Sequence, residues 1–286
     1  MKMERRSNFL SVMDFNVAFG VFVSDKLTSY VDKHINEIFK NTDLVNLRFS
    51  LIQEEVNELY EAYQNNDLVE ILDALTDILY VVYGAGVSLG VDLDKSYKNY
   101  LKNKIILSAN STSIDTFINK SADFSLSNFE TTSELNGNPK EYWKSTRPIF
   151  QYLNSHVKFR IMNIMYTTSN LKIDMQVQDF TCMINNLNHL LYLTYSLGHV
   201  LHMNLNESFD IVHHSNMTKL CKNEEEAIET VQNYKDNDNR YDSPNYRKSD
   251  LGEYFVVYNE STGKILKSIN YIAAKFDTLL EPEPAR

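Results

Sequence analysis

Between Leu51 and Tyr80 the chain reads LIQEEVNELYEAYQNNDLVEILDALTDILY, which sets Glu54, Glu55, Glu58, Glu70, Asp73 and Asp77 among residues that otherwise belong inside a protein. At about 100° per residue on a helix, Glu55 and Glu58 fall inside or at the lip of the apolar arc formed by Leu51, Ile52, Val56, Leu59 and Ala62, and Glu54 flanks that arc. On the next segment Glu70, Asp73 and Asp77 share one edge, within about 60° of each other, of a helix that is otherwise apolar almost all round. Gathering such carboxylates costs roughly several kcal/mol per ion unless they are protonated, solvated or bound to cations. An all-oxygen ligand set selects Mg²⁺ or Mn²⁺ over softer metals, and Mg²⁺ commonly leaves coordination positions to water and substrate phosphate. The chemistry implied is metal-assisted hydrolysis of a phosphate substrate. An acidic edge that merely faces water is the bland alternative, but ordinary solvated edges avoid the apolar arc. A di-iron carboxylate bundle needs Glu-x-x-His on facing helices, and no histidine lies between His34 and His156.

Helices must position these acids. Apolar residues recur at helical spacing near 12–35, 45–64, 67–90, 94–107, 150–170, 174–202 and 205–220, with only 8 Gly and 5 Pro, so the expected core is all-α. The short polar joint QNN at 64–66 predicts that the helices on either side pack antiparallel, so the two acidic edges can face each other. The Ser/Thr/Asn-rich stretch 108–143 reads as a linker or long loop, and 233–250 as a charged, turn-rich break. Alternation around Asn-Glu-Ser-Thr-Gly in 253–272 predicts a small C-terminal β-hairpin, and the closing EPEPAR a disordered tail.

Composition narrows the partners. The 286 residues, 43% hydrophobic, can bury a sizeable core, and the net charge of −10 argues against polymeric nucleic acid or an anionic membrane as a main partner. No leader pattern opens the sequence and no apolar run reaches about 18 residues, which predicts a soluble, cytoplasmic protein. Cys182 and Cys221 have no CxxC spacing and read as two spare thiols.

The sequence also repeats. At a shift of 112, Leu75, Leu79, Tyr80, Tyr83, Gly86, Leu89 and Leu93 recur as Leu187, Leu191, Tyr192, Tyr195, Gly198, Leu201 and Leu205. Glu70 becomes Cys182, Asp73 becomes Asn185 and Asp77 becomes His189, so the second copy has lost its acids. Upstream, 158–171 aligns loosely with 48–59 at a shift of 110, with no carboxylate retained.

The E-E-x-x-E of 54–58, the E-x-x-D of 70–73 and the DALTDILYVVYGAGVSLGVDL that follows resemble the all-α nucleoside triphosphate pyrophosphohydrolases, comprising MazG, dimeric dUTPase and phosphoribosyl-ATP pyrophosphohydrolase relatives. The lead-in VMDFNVAFG…VNLRFSLIQEE, the segment FDIVHHSNMTKL (209–220) and GKILKSINY (263–271) are similar to the phosphoribosyl-ATP pyrophosphohydrolase-like subgroup. The resemblance implies a MazG-like helical bundle that holds Mg²⁺, with Mn²⁺ as a substitute, and splits a nucleotide into monophosphate and pyrophosphate. Glu55, Glu58, Glu70 and Asp73 would be the metal ligands, and Glu54 or Asp77 a further ligand or the base for the attacking water. Asn216 and Lys219, three apart on one helical face, would grip phosphate oxygens. Lys267, and less well Lys264, would serve likewise from the hairpin, while Arg48 and Phe15 would touch ribose or base. His213 and His214 read as packing or capping residues.

The whole then divides into a first repeat with the acidic site (1–107), a polar linker (108–143), a degenerate second repeat with the Asn/Lys element (144–225) and a C-terminal loop, hairpin and tail (226–286). The two repeats would form a pseudo-dimer fused in one chain, itself open to homo-oligomerisation. Narrower expectations are a phosphoribosyl-ATP pyrophosphohydrolase or a dUTP- or dCTP-specific enzyme. Loss of the acids in the second repeat also leaves room for a non-catalytic nucleotide-binding scaffold.

Overall fold

Helix α1 (Asn8–Ala18) begins where the Ser7 side chain accepts the Leu10 amide, and it stops at Phe19, before Gly20 turns at φ 60°. The computed structural model describes residues 6–29, 37–109, 147–201, 203–238, 240–276 and 279. In that range the chain continues as α2 (Thr42–Asn65), α3 (Leu68–Leu89), α4 (Leu93–Ala109), α5 (Arg147–Val177), α6 (Phe180–Val200), α7 (Leu205–Met217), α8 (Glu224–Asn237), β1 (Pro244–Lys248) and β2 (Phe255–Asn259). It is a helical protein with one small antiparallel sheet.

Two compact units arise from this chain. One comprises Ser24–Phe209 with Phe276–Arg286, and the other Met1–Val23 with Asp210–Lys275. In the first, α2 packs along α3 and α5 along α6, with further packing of α2 on α5, α3 on α6 and α4 on α6. The sequence dictates each hairpin. Asn66 takes the left-handed conformation that ends α2, and the Asp67 side chain accepts the Val69 and Glu70 amides to start α3. Gln178, also left-handed at φ 59°, separates α5 from α6, and Asp179 accepts the Cys182 amide. Ile52, Val56 and Leu59 of α2 and Leu75, Ile78, Leu79 and Val82 of α3 are wholly buried, as are Ile164, Leu171, Leu187, Leu190 and Leu191. Each such side chain contributes roughly 1.5–3 kcal/mol of burial.

Contacts in this unit recur at the repeat shift. The Asp67 amide donates to Ala62 O at 3.0 Å and the Asp179 amide to Asp174 O at 2.9 Å. The Val91 amide donates to Gly86 O and the Met203 amide to Gly198 O, both at 2.8 Å. Thr76 Oγ1 lies 2.7 Å from Ser208 Oγ, while Ser96 Oγ donates to Asn188 Oδ1 at 3.0 Å. Buried positions of α2 and α5 match at the same spacing: Val45 with Val157, Ile52 with Ile164, Leu59 with Leu171. The register of α5 against α2 is therefore 112 and not 110, and a shift of 110 would set Glu55 against Met165 instead of Thr167.

In the other unit, α8 packs on a sheet in which Pro244–Lys248 pairs with Phe255–Asn259. Cys221, Ala227, Val231, Val257 and Leu266 form one core cluster, and Ala18, Phe19, Leu220 and Val256 another. Ser249 Oγ and an Arg247 guanidinium nitrogen donate to Ala18 O and Phe19 O, tying the end of α1 to the sheet.

Several expectations are corrected. The helix expected over 12–35 ends at Ala18, and residues 24–29 are irregular, with Thr28 bridging Val91; 30–35 lie outside the described residues. α5 continues to Val177, so the helix expected from 174 begins only at Phe180. The C-terminal segment is not a loop from 226, because α8 fills Glu224–Asn237 behind an Asn223 cap. The sheet pairs 255–259 with 244–248, a stretch that reads as turn-rich, whereas the Asn-Glu-Ser-Thr-Gly turn supports only the Tyr258–Ile265 bridge. The compact units divide the chain at 23/24, 209/210 and 275/276. Most of the 108–143 linker and the EPEPAR tail lie outside the described residues.

Candidate active site

Helices α2 and α3 run antiparallel, and that sense decides which acids meet. Glu55 is half-buried and its Oε2 is enclosed without a hydrogen-bond partner. Burial, then the nearby charges of Asp77, Glu58, Glu54 and Asp73, push its carboxyl up to about 9. One turn later Glu58, at the exposed lip, is raised by partial burial and by Glu54, Glu61 and Glu70. The pairing is thus tiered: Glu55 opposite Asp73 and Asp77, Glu58 opposite Glu70. Asp73 and Asp77 are half-buried, while Glu54 and Glu70 are exposed.

Among the described residues, no three His, Cys, Asp or Glu side chains stand close enough to chelate a metal as they are. The donor chemistry nonetheless fits a hard divalent cation. All donors are oxygens, and Glu55 presents an enclosed oxygen with no partner.

Arg48 sits seven residues before Glu55, on the same face of α2. Only 6% of it is exposed, its Nε makes no hydrogen bond, and burial lowers its guanidinium to about 10. Sequence reasoning named Arg48 but missed that it is buried without a partner for Nε; the seven-residue spacing from Glu55 was the available signal.

The corresponding positions in α5 and α6 are neutral. At the repeat shift, Thr167, Asn170, Cys182, Asn185 and His189 take the places of Glu55, Glu58, Glu70, Asp73 and Asp77. His189 Nδ1 is 2.7 Å from Tyr100 Oη, and burial, helped by Lys104, pushes its imidazole down to about 4. That half holds no ionised acid at any of the five positions at neutral pH.

The remaining candidates belong to the other unit. Asn216 is in the last turn of α7 and Lys219 lies just past the helix, its amide donating to Asn216 O at 3.1 Å. They are joined by a turn, not stacked on one helical face. The Lys267 ammonium lies 4.5 Å from the centroid of the Tyr271 ring, and its amide donates to Tyr234 Oη. The Asn259 amide donates to Lys264 O across the turn. Phe15 packs against Phe19, with ring centroids 4.2 Å apart and planes tilted by 30°. His213 is half-buried and burial lowers its imidazole.

The acid-lined α-helical hairpin of α2 and α3 lies inside the stretch that comparison with known proteins identifies. Residues 25–103 match the family model for phosphoribosyl-ATP pyrophosphohydrolase. Over 282 residues the chain is 34% identical to an uncharacterized protein, L479, of Acanthamoeba polyphaga mimivirus, covering 97% of each. No solved structure matches. Residues 25–103 thus form a domain of the phosphoribosyl-ATP pyrophosphohydrolase family, part of the MazG-like nucleoside triphosphate pyrophosphohydrolase superfamily, which supports a nucleotide pyrophosphohydrolase-like activity at the level of the family. No described helix is long and apolar enough to cross a membrane.

Proposed function

We propose that the Ser24–Phe209 unit hydrolyses a (deoxy)nucleoside triphosphate to the monophosphate and pyrophosphate, and that it does so with Mg²⁺, for which Mn²⁺ substitutes. The observation that carries this reading is the partnerless Oε2 of Glu55, enclosed opposite Asp73 and Asp77. Glu55, Glu58, Glu70 and Asp73 would hold the cation, which when bound neutralises charge on the polyphosphate and lowers the proton affinity of water. Glu55 must surrender its proton for this, so cation and proton compete for the same oxygen. Glu54, exposed, or Asp77, half-buried, accepts the proton of the attacking water.

The recurrence of contacts at one fixed shift supports a second part of the reading. The Ser24–Phe209 unit is two copies of one helical element fused in a single chain, of which the first kept its acids and the second became a scaffold. A cytoplasmic setting agrees with the nucleotide substrate.

The experiment is to incubate the purified full-length chain with dUTP, dCTP, dGTP and phosphoribosyl-ATP in Mg²⁺ and to separate the products. Nucleoside monophosphate and intact pyrophosphate in equal amounts are expected. A diphosphate accumulating with orthophosphate, or no turnover of any of the four, overturns the assignment.

A further inference from the structure

Two polar groups on α2 lack a partner. Glu55 encloses a carboxylate oxygen with no donor, and Arg48 buries a guanidinium Nε with no acceptor. They cannot satisfy each other, because seven residues place them two turns apart, about 10 Å along the axis, with the fully buried Ile52 between. An unneutralised guanidinium at 6% exposure is costly, and a folded protein keeps one where a bound anion compensates it.

The second half of the same unit provides the contrast. Arg160 is the counterpart of Arg48 at the repeat shift, and its Nε donates to Ser196 Oγ at 3.2 Å while another guanidinium nitrogen donates to His156 O at 3.4 Å. The counterpart of Ser196 in the first half is Gly84, which has no hydroxyl to offer. The half without acids has tied up its arginine, and the half with acids has left Nε open. Open cation and acid cluster occur together.

We propose that Arg48 is the anion anchor of the site: its guanidinium takes a phosphate group of the same polyphosphate whose cation the Glu55 cluster holds. This rests on the pyrophosphohydrolase reading for the identity of the substrate, but not for the existence of the anion site. A cation-bound polyphosphate carries on one molecule a cation for the acids and an anion for Arg48. The planar fork of arginine suits two phosphate oxygens at once, which an ammonium cannot reproduce. The role expected from sequence, contact with ribose or base, gives way to contact with phosphate.

Inorganic pyrophosphate is the probe, because it binds without turnover. Calorimetric titration of the full-length chain in Mg²⁺ should show binding that Arg48→Met weakens by roughly tenfold to a hundredfold and that Arg160→Met leaves unchanged. Without ligand, Arg48→Met should melt higher than the parent, since it replaces an unneutralised buried charge by an apolar chain of similar length; an arginine with a purely structural role would melt lower. Should Arg48→Met fail to fold, Arg48→Lys keeps the charge and loses the fork, and should weaken pyrophosphate several-fold. Unchanged pyrophosphate affinity in the Arg48 variants, an equal loss in Arg160→Met, or no pyrophosphate binding by the parent overturns the anchor. Nucleotide turnover with an unaltered KM in Arg48→Met removes the anchor alone, whereas Arg48-dependent pyrophosphate binding without turnover of any nucleotide removes only the hydrolase assignment.

Discussion

The hydroxyls of Tyr83 and Tyr195 lie 3.2 Å apart, and the two residues are separated by 112 positions. The two positions correspond at the same shift of 112 at which hydrogen bonds recur in this unit. Around this pair the ring contacts correspond as well: Tyr83 with Phe209 on one side and Tyr195 with Tyr97 on the other. The tyrosine pair is buried, and burial together with the partner hydroxyl raises the Tyr83 phenol well above its ordinary range, so this ring stays neutral in use.

Glycine is required twice for the same reason. A Cβ at Gly86 would lie 2.6 Å from Leu93 Cδ1 and 3.0 Å from Val91 O, and one at Gly198 would lie 2.6 Å from Leu205 Cδ1. Gly86→Ala should lower stability by roughly 1–3 kcal/mol. Gly198→Ala should cost less, because only a movable leucine side chain must give way. Chemical denaturation measures both, and a Gly86→Ala midpoint equal to that of the parent contradicts this packing.

The raised Glu55 carboxyl makes the metal-free protein sensitive to pH. Its ordinary value is 4.5 and its folded value about 9, so between these pH values the unfolded chain has released a proton that the folded chain retains. Stability from this group is complete below 4.5 and is lost as pH rises through about 9. In EDTA the melting temperature should therefore fall from pH 5 to pH 9, and Glu55→Gln should flatten that fall. An identical slope in the variant would show that Glu55 does not titrate in this window.

Only the first half carries acids at the five site positions, so one nucleotide should bind per chain. Titration with a non-hydrolysable deoxynucleoside triphosphate in Mg²⁺ should saturate at that ratio, and Glu70→Gln should abolish the signal. Two nucleotides per chain would show that the neutral positions around His189 bind as well.

The acid-bearing hairpin was legible because its two helices obey the same local rules in isolation and in the fold. A left-handed Asn66, an Asp67 cap and an apolar arc at period 3.6 are all local signals. What was not legible depends on tertiary context. Helix α8 buries only Glu226, Ala227, Thr230 and Val231 behind an exposed acidic face, too narrow a stripe to stand out from a charged loop. Pro244–Lys248 becomes a strand because Phe255–Asn259 pairs with it. Arg48 could be named from its motif, but its burial without a partner for Nε follows from Gly84 standing where the other half has Ser196, a relation invisible until α5 is set at the correct register.

The central claim is that the carboxylates around Glu55 hold a divalent cation for hydrolysis. The most direct measurement follows cleavage of the preferred nucleotide by the parent and by Glu55→Gln, with Mg²⁺ or with EDTA, alongside equilibrium binding of Mn²⁺. The account predicts that EDTA abolishes and Mg²⁺ restores pyrophosphate release by the parent, and that Glu55→Gln loses both Mn²⁺ affinity and turnover while remaining folded. Full activity in EDTA, or a Glu55→Gln protein that binds Mn²⁺ and cleaves like the parent, would contradict it.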